Sequence, residues 1–197
     1  MAQPGEQFEL FYSNNTIYSN FYPAPFTDPR LKFPAGSSYH QTNDFSFVHV
    51  EQYMHACKAM LFKDDEMLDR ILFASDPMDS KKLGRLVSGF DDGVWSSLAR
   101  DIVRRGCWLK FSQNQPLREE MLKTEGRTFV ECAPRDRRWG IGLGINNPRA
   151  VIRSKWRGSN WLGECLDSSR AHIMAGTEPL SKDLSVVRGH LSLSFSE

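Results

Sequence analysis

The sequence predicts a mainly α-helical fold (α+β with minor strands) in one compact domain. Apolar residues repeat at helical spacing over most of the chain after Val48, whereas prolines interrupt residues 8–47 and leave room only for short strands. A chain of 197 residues, of which 40% are hydrophobic, can bury a substantial core in a single domain. We therefore expect a helical body to which a few short strands are attached.

The first part of the chain combines an aromatic, proline-rich segment with a long helix. Residues 8–47 predict irregular structure with short strands, and 27–46 are polar and marked by Gly, Ser and Pro, which predicts a loop or hairpin insertion. Apolar residues from Val50 to Leu61 follow helical spacing, so a helix is expected over 48–63.

The remaining elements are indicated largely by their helix-start signals. Asp76 before Pro77 is typical of an N-cap followed by proline at the first helical position, and Asn114 is expected to cap the helix that follows it. Residues 1–7 are predicted to be an N-terminal extension and 175–197 a poorly ordered tail. Further helices are expected over 64–73, 76–86, 94–111, 115–123 and 159–174, with a turn at 89–93 and a short strand at 129–131.

The composition argues against several classes of protein. A net charge of +1 gives no global field that would recruit nucleic acid or an anionic membrane, and no apolar stretch reaches membrane-spanning length. The four cysteines form no CxxC or Cys/His cluster, so we expect buried thiols, no metal site and no cofactor. The N-terminus lacks the pattern of a signal peptide, which predicts an intracellular, cytoplasmic protein, with the nucleus as an open alternative.

Segment 131–142, ECAPRDRRWGIG, has the composition of a ligand site rather than of a core. Its arginines can hold phosphate by forked hydrogen bonds, and Trp139 can offer a flat face to a base. The Asp136 carboxylate can serve a reaction centre that develops positive charge. Residues 135–157 contain seven Lys or Arg and one Asp, so an anion is expected to bind there. The arginines around Asp136 are Arg135, Arg137 and Arg138.

The predicted helix over 48–63 carries a second set of polar residues. Glu51, His55 and Lys58 lie at i, i+4 and i+7 and therefore share one face. Glu51 and Lys58 are about 10 Å apart along the helix axis, which leaves space for a ligand between them. The alternative, a solvated helix face without a function, is slightly favoured by the spacing alone. His55 is expected to be a helper or a satisfied partial-core residue rather than a catalyst.

The aromatic loop at 18–26 offers further candidates for substrate binding. Asn20 can hydrogen-bond a base edge or a ribose hydroxyl, and Phe21 can form the wall of a pocket. The alternative is a hydrophobic loop that only packs on the helices. For Phe21 the two interpretations are about equal, whereas for Asn20 the packing interpretation is the weaker one.

Two helix ends are candidate phosphate sites. Arg85 can reach a phosphate, whereas Lys81 and Lys82 are expected on an exposed basic helix face. Asn160 stands at the start of the last predicted helix, where free N–H groups suit a phosphate. The alternative is that Ser159 merely caps this helix.

The motifs described above follow one another in an order that resembles a known family. They are SNFYPAPF at 19–26, VE at 50–51, ACK at 56–58, KLGR at 82–85, Trp95, KF at 110–111, LR at 117–118, Glu131 with Asp136, WGIG at 139–142 and NWLG at 160–163. Over about residues 8–174 the chain resembles the NADAR-domain, or YbiA-like, family. The resemblance implies a compact helical domain with minor strands and an N-glycosidase activity. Similar proteins cleave the N–C bond of phosphoribosylamino-pyrimidine intermediates of riboflavin synthesis, or remove ADP-ribose from modified guanine in nucleic acid.

The resemblance also implies roles for individual residues. The implied active-site set is Glu51, Lys58, Asp136 and Trp139. Other recurrent motif positions, which we assign to substrate binding, are Asn20, Arg85 and Trp95. The chain departs from the family pattern between Phe26 and His49, where a polar insertion stands in place of a shorter hairpin. Substrate choice would be affected if that insertion bordered the site.

The implied reaction suggests a mechanism that uses these residues. Breaking a ribosyl N–C bond leaves positive charge on the sugar. Asp136 or Glu51 is expected to stabilise that charge or to activate water. Lys58 is expected to assist departure of the base or to form a Schiff base with the opened sugar aldehyde.

The same hypothesis assigns the binding of base and phosphate. Trp139 and an aromatic ring from Phe21 or Tyr22 would stack the base. Arg137 or Arg138 would hold the phosphate. The expected partner is a small phosphorylated nucleoside-like substrate or an ADP-ribosylated nucleic acid, and the oligomeric state is left open.

Two other functions compete with the enzyme. A module that binds ADP-ribose or a nucleotide without turnover would need the arginines and the tryptophan, but not Glu51, Lys58 and Asp136 together. A nucleic-acid-binding protein would use the basic stretch 135–157, and the near-neutral total charge argues against it.

Overall fold

The computed structural model of the chain describes residues 6–40 and 45–179. Within them it has helices α1 to α6, strands β1 to β4 and one short 3-10 helix, which confirms the predicted mainly helical fold with minor strands. The helices are α1 (Val50–Leu61), α2 (Asp65–Phe73), α3 (Pro77–Arg85), α4 (Asp92–Gln113), α5 (Gln115–Leu122) and α6 (Trp161–Met174). The strands are β1 (Gln7–Phe11), β2 (Phe26–Thr27), β3 (Ser46–Phe47) and β4 (Arg127–Glu131), and the 3-10 helix is Arg153–Lys155.

Helix α1 runs through the middle of the molecule. All twelve of its residues are buried, because α2, α3 and α4 pack around it. The interpretation of Glu51, His55 and Lys58 as a solvated helix face is therefore wrong. Their polar groups are enclosed by protein, and a buried polar group needs a partner or a ligand-filled space.

Strands β1 and β4 bring two distant parts of the chain together. They pair in parallel, with Phe11 opposite Glu131, and α6 packs against β4 and α4. Because parallel strands end at the same edge, the segment after Phe11 and the segment after Glu131 leave the sheet side by side. That edge is where the 131–142 segment begins.

Most helix starts follow the capping signals in the sequence. Asp76 accepts hydrogen bonds from the N–H groups of Met78 and Asp79, as predicted for an N-cap before Pro77. Helix α4 begins at Asp92, earlier than the expected Val94, because the Asp91 side chain caps it. The predicted turn at 89–93 is shorter for the same reason.

Two helix starts lack the side-chain cap that the sequence suggested, although Asn114 does occupy the N-cap position of α5. The Asn114 side chain makes no capping bond to α5, and its amide instead donates to the carbonyl oxygens of Pro25 and Lys110. Helix α6 begins at Trp161, so Ser159 does not cap it. The N-cap is Asn160, whose φ of 55° lies in the left-handed region.

The polar insertion over 27–46 has a hairpin base, as predicted. Strands β2 and β3 pair antiparallel at its two ends, with Phe26 opposite Phe47. Ser37 and Ser38 fix the loop to α2 by hydrogen bonds to the carboxylate of Asp69. Residues 41–44 lie outside the described residues.

The described residues beyond α6 fold back onto the body. Glu178 pairs with Arg30 at 3.0 Å and with Arg105, which is itself buried and holds Asp28 at 2.8 and 2.6 Å. Of the predicted tail 175–197, residues 180–197 lie outside the described residues. The same holds for residues 1–5 of the predicted extension 1–7. No helix in the described ranges is long and apolar enough to cross a membrane.

Candidate active site

One cavity of about 600 Å³ opens where α1, α3 and the ends of β1 and β4 meet. The three predicted catalytic residues, Glu51, Lys58 and Asp136, all line it. The predicted binding residues that also line it are Asn20, Phe21, Arg85, Trp95 and Trp139. Within the part of the chain that the structure describes, no residue of the 27–46 insertion lines this cavity, so the insertion does not shape the site directly.

The Glu51 carboxylate is held by His55, one helical turn later in α1. The Nε2 atom of His55 lies 3.2 Å from Glu51 Oε1, and both side chains are buried. The second oxygen of Glu51 receives no hydrogen bond from a described residue. His55 Nδ1 is also buried without a partner, which favours the tautomer that carries its proton on Nε2 and donates to Glu51. His55 is thus a buried residue that bonds Glu51, and its role as a helper stays a prediction.

Lys58 is enclosed by a carbonyl and aromatic rings. Its Nζ donates to the carbonyl oxygen of Gly84 at 2.6 Å and lies 3.9 Å from the centroid of the Phe90 ring. The ring of Trp95 is 5.8 Å away. Burial lowers the pKa of Lys58. A lysine of lowered pKa has more of its amine in the neutral, nucleophilic form than an exposed lysine has.

Asp136 organises the loop that follows β4. Its Oδ1 accepts the N–H groups of Arg138 at 2.9 Å and Trp139 at 2.8 Å. The loop is thereby closed into a tight turn, and the second carboxylate oxygen remains without a donor among the described residues. Trp139 packs edge-on against Trp161, with ring centroids 5.7 Å apart. The carboxylate and the indole are therefore fixed relative to each other.

Asn20 and Phe21 reach the cavity on a loop that two helices hold. The backbone oxygen of Asn20 accepts the N–H of Glu51 at 3.1 Å, and Lys110 donates to the backbone oxygen of Ser19 at 2.9 Å. Asn20 itself is buried, and Lys81 lies 5.3 Å from the ring of Phe21.

Glu131 is the cavity carboxyl that the sequence placed in a motif without a role of its own. It ends β4, and its carboxyl receives no hydrogen bond from any described residue. Burial raises the pKa of Glu131 to about 8, the negative charge of Asp136 adds to the increase, and the charge of Lys81 opposes it. Its place at the end of a predicted strand and at the first position of the ligand-site segment 131–142 was the signal that could have identified it.

The cations that line the cavity differ from those that the sequence assigned to phosphate. Arg137 and Arg138, which the sequence assigned to phosphate, do not line the cavity. Arg138 turns outward because Asp92, at the start of α4, accepts from both of its terminal nitrogens at 2.9 and 3.0 Å. The cavity is lined instead by Arg85, Arg135 and Lys81, none of which has a hydrogen bond or ion pair with a described residue. The expected exposed face is therefore wrong for Lys81.

The assignment of Asn160 to substrate binding is not supported. Its side chain is buried, accepts the N–H of Glu131 at 3.0 Å and donates to the carbonyl oxygen of Phe129 at 2.9 Å. The first N–H groups of α6, those of Trp161 and Leu162, already donate to backbone oxygens of the 131–142 segment. This helix start is therefore not open to a phosphate.

The comparisons with known proteins identify the family. The family model for the NADAR domain matches residues 10–174. The chain belongs to the NADAR domain family. It is similar to Protein irg-1 of Caenorhabditis elegans, with 36% identity over 173 residues, which are 87% of this chain and 82% of that protein. It is also similar to an N-glycosidase of Acanthamoeba polyphaga mimivirus, with 37% identity over 151 residues, which are 76% of this chain and 83% of that protein.

A solved structure has the same fold as this NADAR domain. The NMR structure of the Escherichia coli protein YbiA aligns with a TM-score of 0.64 and 25% identity, and the alignment covers 87% of each chain. The family that the ordered motifs predicted is thus confirmed. The described residues of this NADAR domain contain no group of three or more His, Cys, Asp or Glu arranged to hold a metal ion.

Proposed function

We propose that this NADAR-domain protein is an N-glycosidase that hydrolyses the N–C bond between a base and a phosphorylated ribose. The observation that carries the proposal is that Glu51, Asp136 and Lys58 line one cavity. They come from two segments about eighty residues apart, and a site that only bound a nucleotide would not need all three.

The two carboxylates suit the charge that develops during the reaction. Departure of the base leaves an oxocarbenium-like sugar, which a carboxylate in an enclosed cavity stabilises strongly. Glu51 and Asp136 each have one oxygen fixed by protein donors and one that receives no hydrogen bond from the described part of the chain. One carboxylate can therefore lie against the cation while the other orients and deprotonates the attacking water.

Lys58 has a position that suits covalent chemistry with the sugar. Its amine, which has a lowered pKa, can attack the aldehyde of an opened ribose and form a Schiff base. The same group can instead assist departure of the base. The rings of Phe90 and Trp95 lie beside this amine, and Trp95 also lines the cavity.

The remaining residues that line the cavity suit the base and the phosphate of the substrate. Trp139 and Phe21 offer aromatic faces for the base. Arg85, Arg135 and Lys81 make no hydrogen bond or ion pair with a described residue, which suits them as the phosphate-binding set in place of Arg137 and Arg138. We propose as substrates a phosphoribosylamino-pyrimidine or guanine-linked ADP-ribose in nucleic acid, both of which contain this linkage.

The activity is tested with both substrates in parallel. Purified protein is incubated with a phosphoribosylamino-pyrimidine and with guanine-ADP-ribosylated DNA, and ribose 5-phosphate or ADP-ribose is measured by mass spectrometry. Release of one product is expected, and it should be lost in Glu51→Gln and in Asp136→Asn. The exposed Glu125, which lies outside the cavity, provides the matched control Glu125→Gln. Saturable binding without product would show a binding module instead, and full activity in both cavity variants would overturn the residue assignments.

A further inference from the structure

A third carboxyl group lies in the cavity beside the two already assigned. Glu131 is the last residue of β4, and its backbone N–H is fixed by Asn160 at 3.0 Å. Its carboxyl lines the same cavity as Glu51 and Asp136, and no described residue donates a hydrogen bond to it. A partly buried carboxyl with no protein donor is suited to give away a proton rather than to hold a charge.

We propose that Glu131 is the general acid of the reaction and protonates the base as it leaves. The inference rests on the proposed N-glycosidase function and adds a residue to it. As the N–C1′ bond breaks, its electron pair stays on the nitrogen of the base, and that nitrogen takes the proton of Glu131. Water then bonds to C1′, loses one proton to Glu51 or Asp136 and leaves a hydroxyl on the sugar. Proton exchange with solvent restores both carboxyl groups.

The surroundings of Glu131 keep its proton in place at neutral pH. Burial raises the pKa of Glu131 to about 8, and the Asp136 carboxylate contributes in the same direction. A pair of carboxyl groups whose surroundings separate their pKa values is the usual arrangement for an acid and its charged partner in glycoside hydrolysis. The charged or titratable groups that share the cavity with Glu131 and Asp136 are Glu51, His55, Lys58, Lys81, Arg85, Arg135 and Tyr12.

The other polar groups that could act as the general acid already take part in hydrogen bonds with the protein. Glu51 accepts a hydrogen bond from His55, and Asp136 accepts two from backbone N–H groups. These bonds fix the two carboxylates as acceptors. Lys58 Nζ already donates to the carbonyl oxygen of Gly84, so any help that it gives to the leaving base is electrostatic rather than the transfer of a proton. Among the cavity carboxyls, only Glu131 is free of a protein donor within the described ranges.

The first test is Glu131→Gln, which keeps the size of the side chain and removes the transferable proton. With the substrate that the wild-type protein turns over, kcat is expected to fall by about a hundredfold or more, which is the usual contribution of general acid catalysis, with little change in KM. Wild-type activity should decline as pH rises through about 8, because the acid form of Glu131 is lost, and Glu131→Gln should lack this decline. Glu125→Gln is the matched control and should keep both kcat and the pH profile.

A second measurement separates proton donation from a structural role. Substrates whose leaving bases differ in basicity are compared in the wild-type protein and in Glu131→Gln. A lost acid lowers the rate most for the most basic leaving group, whereas a structural defect lowers all rates by one factor. A uniform loss, or full activity in Glu131→Gln, would overturn the inference and leave the N-glycosidase function intact. A wild-type protein that cleaves none of these substrates would overturn both.

Discussion

Gly84 of α3 lies directly against His55 of α1, with no room for a side chain between them. A Cβ on Gly84 would come within 2.6 Å of three atoms of the His55 ring. The close approach allows the Gly84 carbonyl oxygen to accept the hydrogen bond from Lys58. One glycine therefore sets the distance between the two helices and, through His55 and Lys58, the positions of two polar groups in the cavity.

The first prediction follows from this contact. Gly84→Ala should destabilise the protein by about 1–3 kcal/mol, the usual penalty of overpacking, although alanine is the better helix former. It should also lower kcat, because a displaced His55 no longer holds Glu51. Urea unfolding and steady-state kinetics measure the two effects. Gly144, where a Cβ would meet nothing within 4 Å, provides the control Gly144→Ala. Equal stability of the two variants would contradict the packing argument.

The second prediction concerns covalent capture of the sugar by Lys58. Turnover in the presence of cyanoborohydride should attach one sugar phosphate to the protein, and peptide mapping should place it on Lys58. Trapping should extend to lower pH than it would at an exposed lysine, since burial lowers the pKa of this amine, and should decrease as pH falls and the amine becomes protonated.

The controls for this experiment use a lysine on the neighbouring helix. Lys82 is exposed and paired with Asp79, so Lys82→Met should keep the adduct while Lys58→Met abolishes it. Labelling that spreads over surface lysines and survives in Lys58→Met would exclude the Schiff base. Loss of kcat in Lys58→Met without any adduct would assign the lysine to departure of the base.

The third prediction separates the two groups of arginines. Arg85→Met and Arg135→Met should each raise KM for a phosphorylated substrate by about tenfold, because each removes a charge-assisted hydrogen bond to phosphate near the surface. Arg138→Met is the matched control, since this arginine pairs with Asp92 instead. With the dephosphorylated substrate all three variants should have the KM of the wild-type protein. A higher KM in Arg138→Met alone would restore the assignment made from the sequence.

The sequence correctly predicted the features that depend on interactions between residues close together in the chain. Helical spacing placed Glu51 and Lys58 on one face, and the Asp76-Pro77 cap marked the start of α3. The spacing could not show that α1 is surrounded by other helices, and so it slightly favoured a solvated face.

Long-range pairs account for the errors at the site. Arg138 is drawn away from the cavity by Asp92, 46 positions earlier in the chain. Glu131 belongs to the cavity because β4 pairs with β1, more than a hundred positions away. Residue types and spacing in a single sequence contain no direct record of such pairs, so the arginines were assigned by their proximity to Asp136.

The last prediction concerns Asn160, which the structure assigns to the support of Glu131 rather than to substrate binding. Asn160→Ala removes the acceptor of the Glu131 N–H and the donor to the Phe129 carbonyl, both within the buried edge of β4. Two backbone groups, one buried and one partly buried, are then left without these bonds, at about 1–3 kcal/mol each, so the free energy of unfolding should fall by about 2–6 kcal/mol.

The kinetics of Asn160→Ala distinguish a residue that supports Glu131 from one that binds the substrate. At a temperature where the variant is fully folded, kcat should fall more than KM rises, because the end of β4 that carries Glu131 is no longer fixed. Asn147 makes a comparable side-chain bond in an exposed turn, and Asn147→Ala should change the free energy of unfolding by less than about 1 kcal/mol. If Asn160→Ala kept the stability of the wild-type protein and raised only KM, Asn160 would be a substrate-binding residue after all, as the sequence alone had suggested.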